Sequence, residues 1–225
     1  MKRVDYEVLV TGGSRGIGRE IVKTYEEAGY LVCAPTREEL DLSNPESVEN
    51  FIENNKSRMF CILINNAGVN HINMIENMID DDISDMMNVN LISPLRLIRG
   101  FVPVMREYRF GRIVNIGSIW GVISKPGRTG YSITKHGIHG ITKTLALELA
   151  KDGILVNTVA PGQTMTELTK KNNSPEAIKQ MEIDIPLGRL ADPSEIAKAV
   201  FFLGNENNTY ITGQQLVVDG GLSVQ

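Results

Sequence analysis

The chain has 225 residues, of which 42% are hydrophobic and 22% are charged, and its formal net charge is −4. This length fits a single α/β domain, residues 1–225, that can bury a sizeable core. The negative charge argues against a nucleic-acid partner, and no apolar run is long enough to cross a membrane.

The first predicted strand, Tyr6–Thr11, leads directly into a glycine-rich loop and then a helix over Arg19–Ala28. Residues 1–6 show no signal-peptide pattern, which predicts a cytoplasmic protein. In such a unit, glycines permit a tight turn and the close approach of a pyrophosphate, which the helix N-terminus binds. The spacing is G-x-x-x-G-x-G, and a plain strand-to-helix turn is the alternative. The residues expected at the pyrophosphate are Gly12, Ser14, Arg15, Gly16, Ile17 and Gly18.

The second predicted strand, Tyr30–Ala34, is followed closely by Leu40-Asp41-Leu42. A parallel crossover needs a dozen or more residues, so no helix fits between the two segments. We therefore expect a truncated crossover, with residues 40–42 as an irregular or very short segment at the sheet edge. Cys33 lies in this second strand and Cys61 in the third, and we expect both to be buried free thiols. Two cysteines and three scattered histidines predict no metal site.

The remaining chain alternates between apolar runs and helical patterns. Strands are predicted at 59–64, 112–116, 154–159 and 215–218, and helices at 45–54, 80–108, 131–151 and 193–203. Apolar strands that alternate with helices are typical of a parallel sheet covered on both faces. We therefore predict an α/β fold with a doubly wound, Rossmann-like parallel sheet of about six strands. The polar segment 163–190 leaves a strand end, where such sheets bind ligands, and is interpreted as a substrate lid. An ordinary surface insertion is the alternative.

Tyr131 and Lys135 form the pattern with the clearest chemistry. They are four positions apart and so share one face of a helix. An ammonium group beside a phenol lowers the pKa of the phenol, which can then exchange a proton near neutral pH. Ser118 lies upstream and could hold the carbonyl oxygen that receives this proton. Taken singly, Ser118 could cap local backbone and Tyr131 could be a core aromatic residue.

Taken together, these motifs resemble the classical short-chain dehydrogenase/reductase family. The chain is most similar in pattern to its 3-oxoacyl-carrier-protein reductases and its sugar and polyol dehydrogenases. The family's usual helix between the second and third strands is missing here. The motifs follow the family's order over nearly the whole chain: the glycine loop, Asn65-Asn66-Ala67-Gly68, Asn90, Ser118, Tyr131 with Lys135, Pro161-Gly162 and Val218-Asp219-Gly220-Gly221.

The resemblance implies an enzyme that exchanges hydride between a nicotinamide cofactor and a carbonyl carbon. Tyr131 would donate the proton, and Ser118 would stabilise the developing charge on the oxygen. Lys135 would tune Tyr131 and hold the nicotinamide ribose. Asn90 would bind a water that links Lys135 to solvent, although it could equally be a polar residue that kinks its helix.

Cofactor contacts are expected at three strand ends. Asn66, Ala67 and Gly68 would border the adenine ribose, and Asp41-Leu42 the adenine. The contacts expected at the nicotinamide amide are Pro161, Gly162, Thr164 and Thr166.

Arg37 and Arg15 favour NADP over NAD. Arg37 follows the second strand, Arg15 lies within the glycine loop, and two guanidinium groups suit a 2′-phosphate. Asp41 has nearly the spacing of an acidic residue that binds the 2′-hydroxyl of NAD. The two arginines could also be solvated surface charges.

The substrate is less well defined by the sequence. Trp120 could form a flat wall for a sugar ring, and Gln163, together with Asn70 and His71, could add polar contacts. The polar lid favours a polar, 3-oxoacyl or sugar-like substrate. The expected function is NADP-dependent interconversion of a ketone and a secondary alcohol, and the alternative is a catalytically silent NADP-binding regulatory subunit. A basic cluster could meet an acidic carrier protein or be plain surface: Arg106, Arg109 and Arg112.

The two long predicted helices, 80–108 and 131–151, carry more apolar residues than one sheet face needs. A helix that is apolar on several faces is buried by several partners. In the resembling family these helices pack against a second subunit, so we expect a homo-oligomer, a tetramer above all. The apolar positions on the second helix are Ile133, Ile138, Leu145 and Leu149.

Overall fold

The structure of the protein, a computed structural model, describes residues 6–225. Residues 1–5, on which the expectation of no signal peptide partly depends, lie outside them. The described residues form one sheet of six strands in the order β2-β1-β3-β4-β5-β6, with every neighbouring pair parallel. The predicted doubly wound parallel sheet of six strands is thereby confirmed. The strands are β1 (Glu7–Val10), β2 (Leu31–Cys33), β3 (Phe60–Asn65), β4 (Gly111–Ile116), β5 (Ile154–Pro161) and β6 (Gln215–Val218).

Helices cover both faces of this sheet. They are α1 (Gly16–Glu27), α2 (Pro45–Asn55), α3 (Asp80–Met87), α4 (Ser93–Glu107), α5 (Thr129–Leu149), α6 (Glu167–Asn172), α7 (Pro175–Asp184) and α8 (Pro193–Gly204). Successive strand residues point to opposite faces. Leu63 of β3 therefore joins a core beneath α2, α4 and α5, while its neighbours Ile62 and Ile64 join a second core beneath α1 and α8. Across residues 6–225, none of the helices has the length and apolarity to span a membrane.

The crossover between β2 and α2 is irregular, as its length predicts. Residues 34–44 contain neither a strand nor a helix. Leu40 and Leu42 nevertheless bury their side chains in the core, and the hydroxyl of Ser93 donates to the carbonyl oxygen of Leu42 at 2.7 Å. Asn44 then caps α2 by accepting from the backbone of Glu46 and Ser47. Residues 34–44 are thus anchored without a helix of their own, α2 makes the crossover from β2 to β3, and β2 is the edge strand.

The helix predicted over residues 80–108 is interrupted. A π-helical turn, Asn88–Ile92, separates α3 from α4. Pro94 lacks an N–H and cannot supply the α-helical hydrogen bond that the carbonyl of Asn90 would otherwise accept. Single π-helical turns are frequent at functional sites. This one holds the buried Asn90 at the base of the predicted active site.

A buried chain of polar side chains fixes α5 to three strands. The amide of Asn65 on β3 donates to Asn115 on β4 at 2.8 Å, and Asn115 donates to Thr142 on α5 at 2.9 Å. Thr142 in turn hydrogen-bonds Thr158 on β5 at 2.8 Å. Hydrogen-bonded polar side chains in a core favour one arrangement of the elements that they join, although the side-chain oxygen of Asn65 has no partner among the described residues. This network sets the position of the helix that begins with Tyr131 and Lys135.

The predicted lid segment leaves and returns to the sheet at one place. The backbone N–H of Met165 donates to Ala191 at 2.8 Å, and that of Ala191 donates to Gln163 at 3.0 Å. Between these anchors lie α6 and α7, which begin at the capping side chains of Thr166 and Ser174. The segment therefore consists largely of two helices. The sequence, through its polarity, had predicted only that it contains no strand.

Candidate active site

The glycine loop after β1 packs tightly against the chain that follows β3. Gly12 has a φ of +67°, and a Cβ added there would lie 2.9 Å from the Cα of Ala67. A Cβ on Gly18 would lie 2.1 Å from the carbonyl oxygen of Gly12. Neither contact is possible for a real side chain. The loop can therefore form only with glycine at these positions. Such a loop lets the backbone approach the pyrophosphate of a dinucleotide closely.

Asn66 braces this loop from the neighbouring strand end. Its amide donates to the carbonyl oxygens of Thr11 and Gly12 at 2.9 and 3.1 Å. The hydroxyl of Thr11 accepts from the backbone N–H groups of Asn66 and Ala67 at 3.0 and 3.1 Å. Because the side-chain nitrogen of Asn66 donates both of its hydrogens here, its side-chain oxygen and its backbone are what it can offer to a ribose pocket. Ala67 and Gly68 continue the same surface.

Gly18→Ala is expected to reduce NADPH affinity more than tenfold, because about 1–3 kcal/mol of overpacking strain would distort the loop. Lys23→Ala, a change on the exposed face of the same helix α1, is the control. It should leave NADPH affinity unchanged. Fluorescence titration measures the affinity of both variants. Equal NADPH affinity in the two variants would contradict the prediction that the glycine loop binds the cofactor.

Lys135 lies buried where β4 ends. Its ammonium donates to the carbonyl oxygen of Ile116 at 2.7 Å and lies 5.5 Å from the centroid of the Tyr131 ring. A Cβ added to Gly68 would be 3.8 Å from the same nitrogen. Burial lowers the pKa of Lys135 to about 8. The ammonium thus stands between the catalytic phenol and the loop that follows β3, and it is charged at neutral pH.

The pKa of Tyr131 differs from the expectation. Burial raises it, and a hydrogen bond with Ser118 and the charge of Arg128 only partly offset this. The prediction that Lys135 lowers this pKa is therefore wrong for the protein without cofactor, because desolvation of the phenolate outweighs the neighbouring charges. In this state the phenol keeps its proton at neutral pH, as a proton donor must.

Ser118 has the capping role considered from the sequence, and it lies beside Tyr131, as the catalytic role would require. Its hydroxyl oxygen accepts from the backbone N–H of Trp120 at 3.2 Å and so caps the turn Ile119–Gly121. A serine hydroxyl can accept and donate at the same time. The cap therefore orients Ser118 toward Tyr131 and leaves its proton available for a carbonyl oxygen.

The side chain of Asn90 is committed to protein contacts. Its oxygen accepts from the backbone N–H of Val69 at 2.8 Å, and its amide donates to the carbonyl of Val69 at 2.8 Å and to the hydroxyl of Thr134 at 3.2 Å. These bonds join α5, the π-helical turn and the loop after β3. A water predicted at Asn90 would therefore bind its backbone carbonyl.

The residues expected at the adenine end lie at the exposed edge. The Nε of Arg37 donates to Asp41 at 3.3 Å, and most of the Arg37 side chain is exposed. Asp41 also accepts from the backbone and hydroxyl of Ser43, which lowers its pKa. Leu42 is only 7% exposed, so its side chain belongs to the core and cannot border adenine. Arg15 is exposed at the start of α1, within the glycine loop.

The chain after β5 runs from Pro161 back to the glycine loop. A Cβ on Gly162 would lie 2.7 Å from the Cα of Asp219, so this turn packs as closely as the glycine loop does. A Cβ on Gly16 would lie 3.4 Å from the methyl group of Thr166. The hydroxyl of Thr164 donates to the Gly162 carbonyl at 3.2 Å, and that of Thr166 caps α6. Because both hydroxyl groups are used in this way, Thr164 and Thr166 could contact a ligand only through their backbone and methyl groups.

On the substrate side the structure both supports and corrects the expected residues. The Gln163 side-chain oxygen is buried and has no hydrogen-bond partner among the described residues, as a ligand contact would require. His71 instead contacts Asp85 at 2.8 Å and Asp82 at 3.3 Å, which occupies both ring nitrogens. Trp120 is partly buried, with the ammonium of Lys125 at 5.0 Å from its ring centroid.

The basic cluster suggested for a carrier protein is only partly exposed. Arg106 and Arg109 share the carboxylate of Asp152, at 2.8 and 3.6 Å, and their side chains remain 53% and 69% exposed. Arg112 is buried with its guanidinium 4.3 Å from the Phe110 ring centroid. Arg112 is therefore not available to a carrier protein, and the expected set of three reduces to two exposed arginines. The cations beside the catalytic residues, Lys125 and Arg128, were not selected from the sequence.

Comparisons with known proteins agree with this geometry. Residues 34–223 match the family described as Enoyl-(Acyl carrier protein) reductase. The chain is 38% identical to a 3-oxoacyl-[acyl-carrier-protein] reductase of Vibrio harveyi, with 95% of this chain and 96% of the relative covered. It is 36% identical to the protein of the same name from Escherichia coli, with the same coverage.

Solved structures with the same fold carry nicotinamide cofactors. ElxO with NADP bound superposes with a TM-score of 0.91 at 31% identity and covers 99% of this chain and 100% of its own. A 4-hydroxyisoleucine dehydrogenase complexed with NADH superposes with a TM-score of 0.89 at 28% identity, with 98% and 99% covered. The protein therefore belongs to the short-chain dehydrogenase/reductase family and is an NAD(P)-dependent oxidoreductase acting on carbonyl or alcohol groups.

Proposed function

We propose that the protein uses NADP(H) to interconvert a ketone and a secondary alcohol of a polar substrate, 3-oxoacyl-like or sugar-like. The observation that carries the proposal is the convergence of Ser118, Tyr131 and Lys135 at the carboxyl end of β4, beside Gly68. Nothing in the structure favours a catalytically silent regulatory subunit, because a cofactor sensor has no need for this set.

Each side chain has a defined task in the proposed reaction. The cofactor, when bound, supplies or accepts the hydride. Tyr131 donates its proton to the carbonyl oxygen during reduction and removes it during oxidation. Ser118 donates a hydrogen bond to the same oxygen and stabilises the charge that develops there. The ammonium of Lys135 stabilises the phenolate that remains after Tyr131 has given up its proton.

Use of NADP(H) is supported by the position of Arg37. Its ion pair with Asp41 orients the guanidinium at the end of β2 and leaves donors for an anion. Asp41 is occupied by Arg37 and Ser43, so it is poorly placed to accept from a ribose hydroxyl. The solved ElxO structures, with NADP and with NADPH, come from a protein of the same fold.

Arg37→Ala is expected to weaken NADPH binding about tenfold to a hundredfold, because a charge-assisted contact to the 2′-phosphate is lost. NADH lacks that phosphate and should bind with nearly unchanged affinity. Arg15→Ala should act in the same direction. Arg99→Ala, which removes an exposed cation paired with Glu49 on α2, is the control. An equal loss of affinity for NADPH and NADH, or a wild type that binds NADH more tightly, would contradict the assignment of NADP(H).

The experiment that tests the proposed function is NADPH oxidation with a panel of neutral and anionic ketones, 3-oxoesters and ketoses. We expect turnover of at least one class, followed as loss of nicotinamide absorbance. A protein that binds NADPH but reduces no member of the panel would contradict the proposal and restore the regulatory alternative.

We further propose that residues 163–190 act as a lid on a single domain. Their two ends meet at the bridge between Thr164 and Ala191. At the far end of α7, the carboxylate of Asp184 is close enough to attract the charge of Lys125, beside the catalytic residues. Deletion of α6 and α7 should therefore raise KM for the substrate more than the dissociation constant of NADPH.

We also propose a homo-oligomer, with α5 in its main interface. Ile138 and Leu149 are buried against the parent sheet, which corrects their expected role. On the same helix Ile133 and Leu147 are 53% and 82% exposed, and these apolar side chains support the proposal. A tetramer is the expected assembly, and light scattering that gave the mass of one chain, 24.9 kDa, would refute it.

A further inference from the structure

Two cationic side chains flank the indole of Trp120 next to the catalytic residues. The ammonium of Lys125 lies 5.0 Å from the ring centroid, and the guanidinium carbon of Arg128 lies 5.8 Å from it. Both belong to the loop between the turn Ile119–Gly121 and α5. We call Trp120, Lys125 and Arg128 the cationic mouth.

In the part of the chain that the structure describes, neither of these two cations forms a salt bridge, and both lie beside an aromatic ring instead. The Nε of Arg128 is buried and has no hydrogen-bond partner among the described residues. Burial lowers the pKa of Arg128, and burial together with the charge of Arg128 lowers that of Lys125. The carboxylate that acts on Lys125 is Asp184 of α7, on the proposed lid. Lys125 is exposed and Arg128 is partly buried, so the Trp120 ring has two like charges beside it and only Arg128 is substantially shielded from water.

The cationic mouth is adjacent to the reacting groups. Trp120 donates its backbone N–H to the hydroxyl of Ser118 at 3.2 Å. The positive charge of Arg128 acts on the phenol of Tyr131, whose pKa it lowers. Arg128 also stands immediately before α5, and its carbonyl accepts from the backbone of Ser132 at 2.7 Å. A chemical group bound by Arg128 would therefore be part of the substrate molecule, close to the carbonyl that Ser118 and Tyr131 would hold.

We propose that Arg128 and Lys125 bind an anionic group of the substrate, a carboxylate or a phosphate, with Trp120 as the wall against which the substrate lies. This inference rests on the proposed function and narrows its substrate class. An anion would satisfy the buried donor of Arg128 and relieve the repulsion between the two cations. The buried oxygen of Gln163, which needs a donor, fits a hydroxyl on the same molecule.

The test compares pairs of ketones that differ only in charge. Acetoacetate and levulinate are set against their methyl esters, and hydroxyacetone phosphate against hydroxyacetone, in NADPH oxidation by the wild type. We expect kcat/KM to favour the anion by about tenfold or more in at least one pair, as a charge-assisted contact provides. The pair that shows the preference tells carboxylate from phosphate. Equal rates, or faster reduction of every neutral partner, would overturn the inference.

Arg128→Gln and Lys125→Gln should remove that preference, mainly by raising KM for the anionic ketone. Lys151→Gln makes the same change of charge on an exposed residue beyond the opposite end of α5 and should keep the preference. A loss in Arg128→Gln that is equal for charged and neutral ketones would indicate a role in folding or in Tyr131 alone, and the inference would fall.

Binding can be followed without turnover because Trp120 is the single tryptophan of the chain. The NADP⁺-saturated protein should change its tryptophan fluorescence on titration with the preferred anionic ketone, and with its neutral partner only at concentrations about tenfold or more higher. The two levels of failure are separable. If no ketone of either charge is reduced, the proposed function fails. If neutral ketones are reduced without any anion preference in rate or fluorescence, only this inference fails.

Discussion

Tyr131→Phe is expected to lower kcat by about 10²–10⁴-fold, the usual contribution of a positioned general acid. The phenol is the proposed proton donor and lies next to Ser118, and burial, which raises its pKa, keeps it protonated at neutral pH. Phenylalanine preserves the ring and its contact with Lys135. The dissociation constant of NADPH, measured by fluorescence titration, should therefore change little.

Tyr108→Phe provides the control for Tyr131→Phe, since it removes the hydroxyl of another tyrosine at the end of α4, away from the site. Its kcat should equal that of the wild type. A Tyr131→Phe variant that keeps more than a few percent of wild-type activity would show that another group moves the proton.

Lys135→Met should lower kcat by about 10²–10³-fold, the usual cost of removing one electrostatic stabiliser from an active site. Its effect on stability is expected to depend on pH in a defined way. The pKa of Lys135 is about 8 in the folded protein against an ordinary value of 10.5. Between these values the unfolded chain binds a proton that the folded protein has released.

Folding is therefore favoured as the pH rises through that window. The unfolding free energy of the wild type minus that of Lys135→Met should increase by about 1.4 kcal/mol per pH unit between pH 8 and 10.5, and stay constant below it. Urea unfolding at several pH values and one protein concentration measures the difference, in which other titrating groups cancel. A difference that stays flat or decreases with pH would show that Lys135 is not desolvated.

The parts of the fold that depend on local pattern could be predicted from the sequence. The apolar runs located all six strands to within about two residues, since strands buried on both faces need apolar residues throughout. The missing crossover helix followed from chain length alone. The π-helical turn at Asn88–Ile92 was not found, because one extra residue in a turn hardly changes helical periodicity. Pro94, four residues after Asn90, was the available signal.

Features that depend on the packing of distant segments could not be read from the sequence. The pairing of Arg106 with Asp152 joins residues 46 positions apart, and the burial of Arg112 takes it out of the expected basic cluster. The direction of the Tyr131 pKa depends on burial, a property of the folded chain. A helix in the lid could have been predicted from the sequence, because Ser174-Pro175-Glu176 is a typical helix start. Lys125 and Arg128 belong to no recognisable sequence motif. Only their position around Trp120 in the folded chain distinguishes them from other basic residues.

The central claim is that NADPH reduces a carbonyl held by Ser118, Tyr131 and Lys135. Its most direct test is deuterium transfer from NADPH that carries deuterium at both positions of the reactive ring carbon. The account predicts that the wild type places one deuterium on the carbinol carbon of the product alcohol, seen by mass spectrometry. Under the same conditions Tyr131→Phe should bind the labelled cofactor and form almost no labelled alcohol. Labelled alcohol formed at the wild-type rate by Tyr131→Phe, or none formed by the wild type with any ketone, would contradict the account.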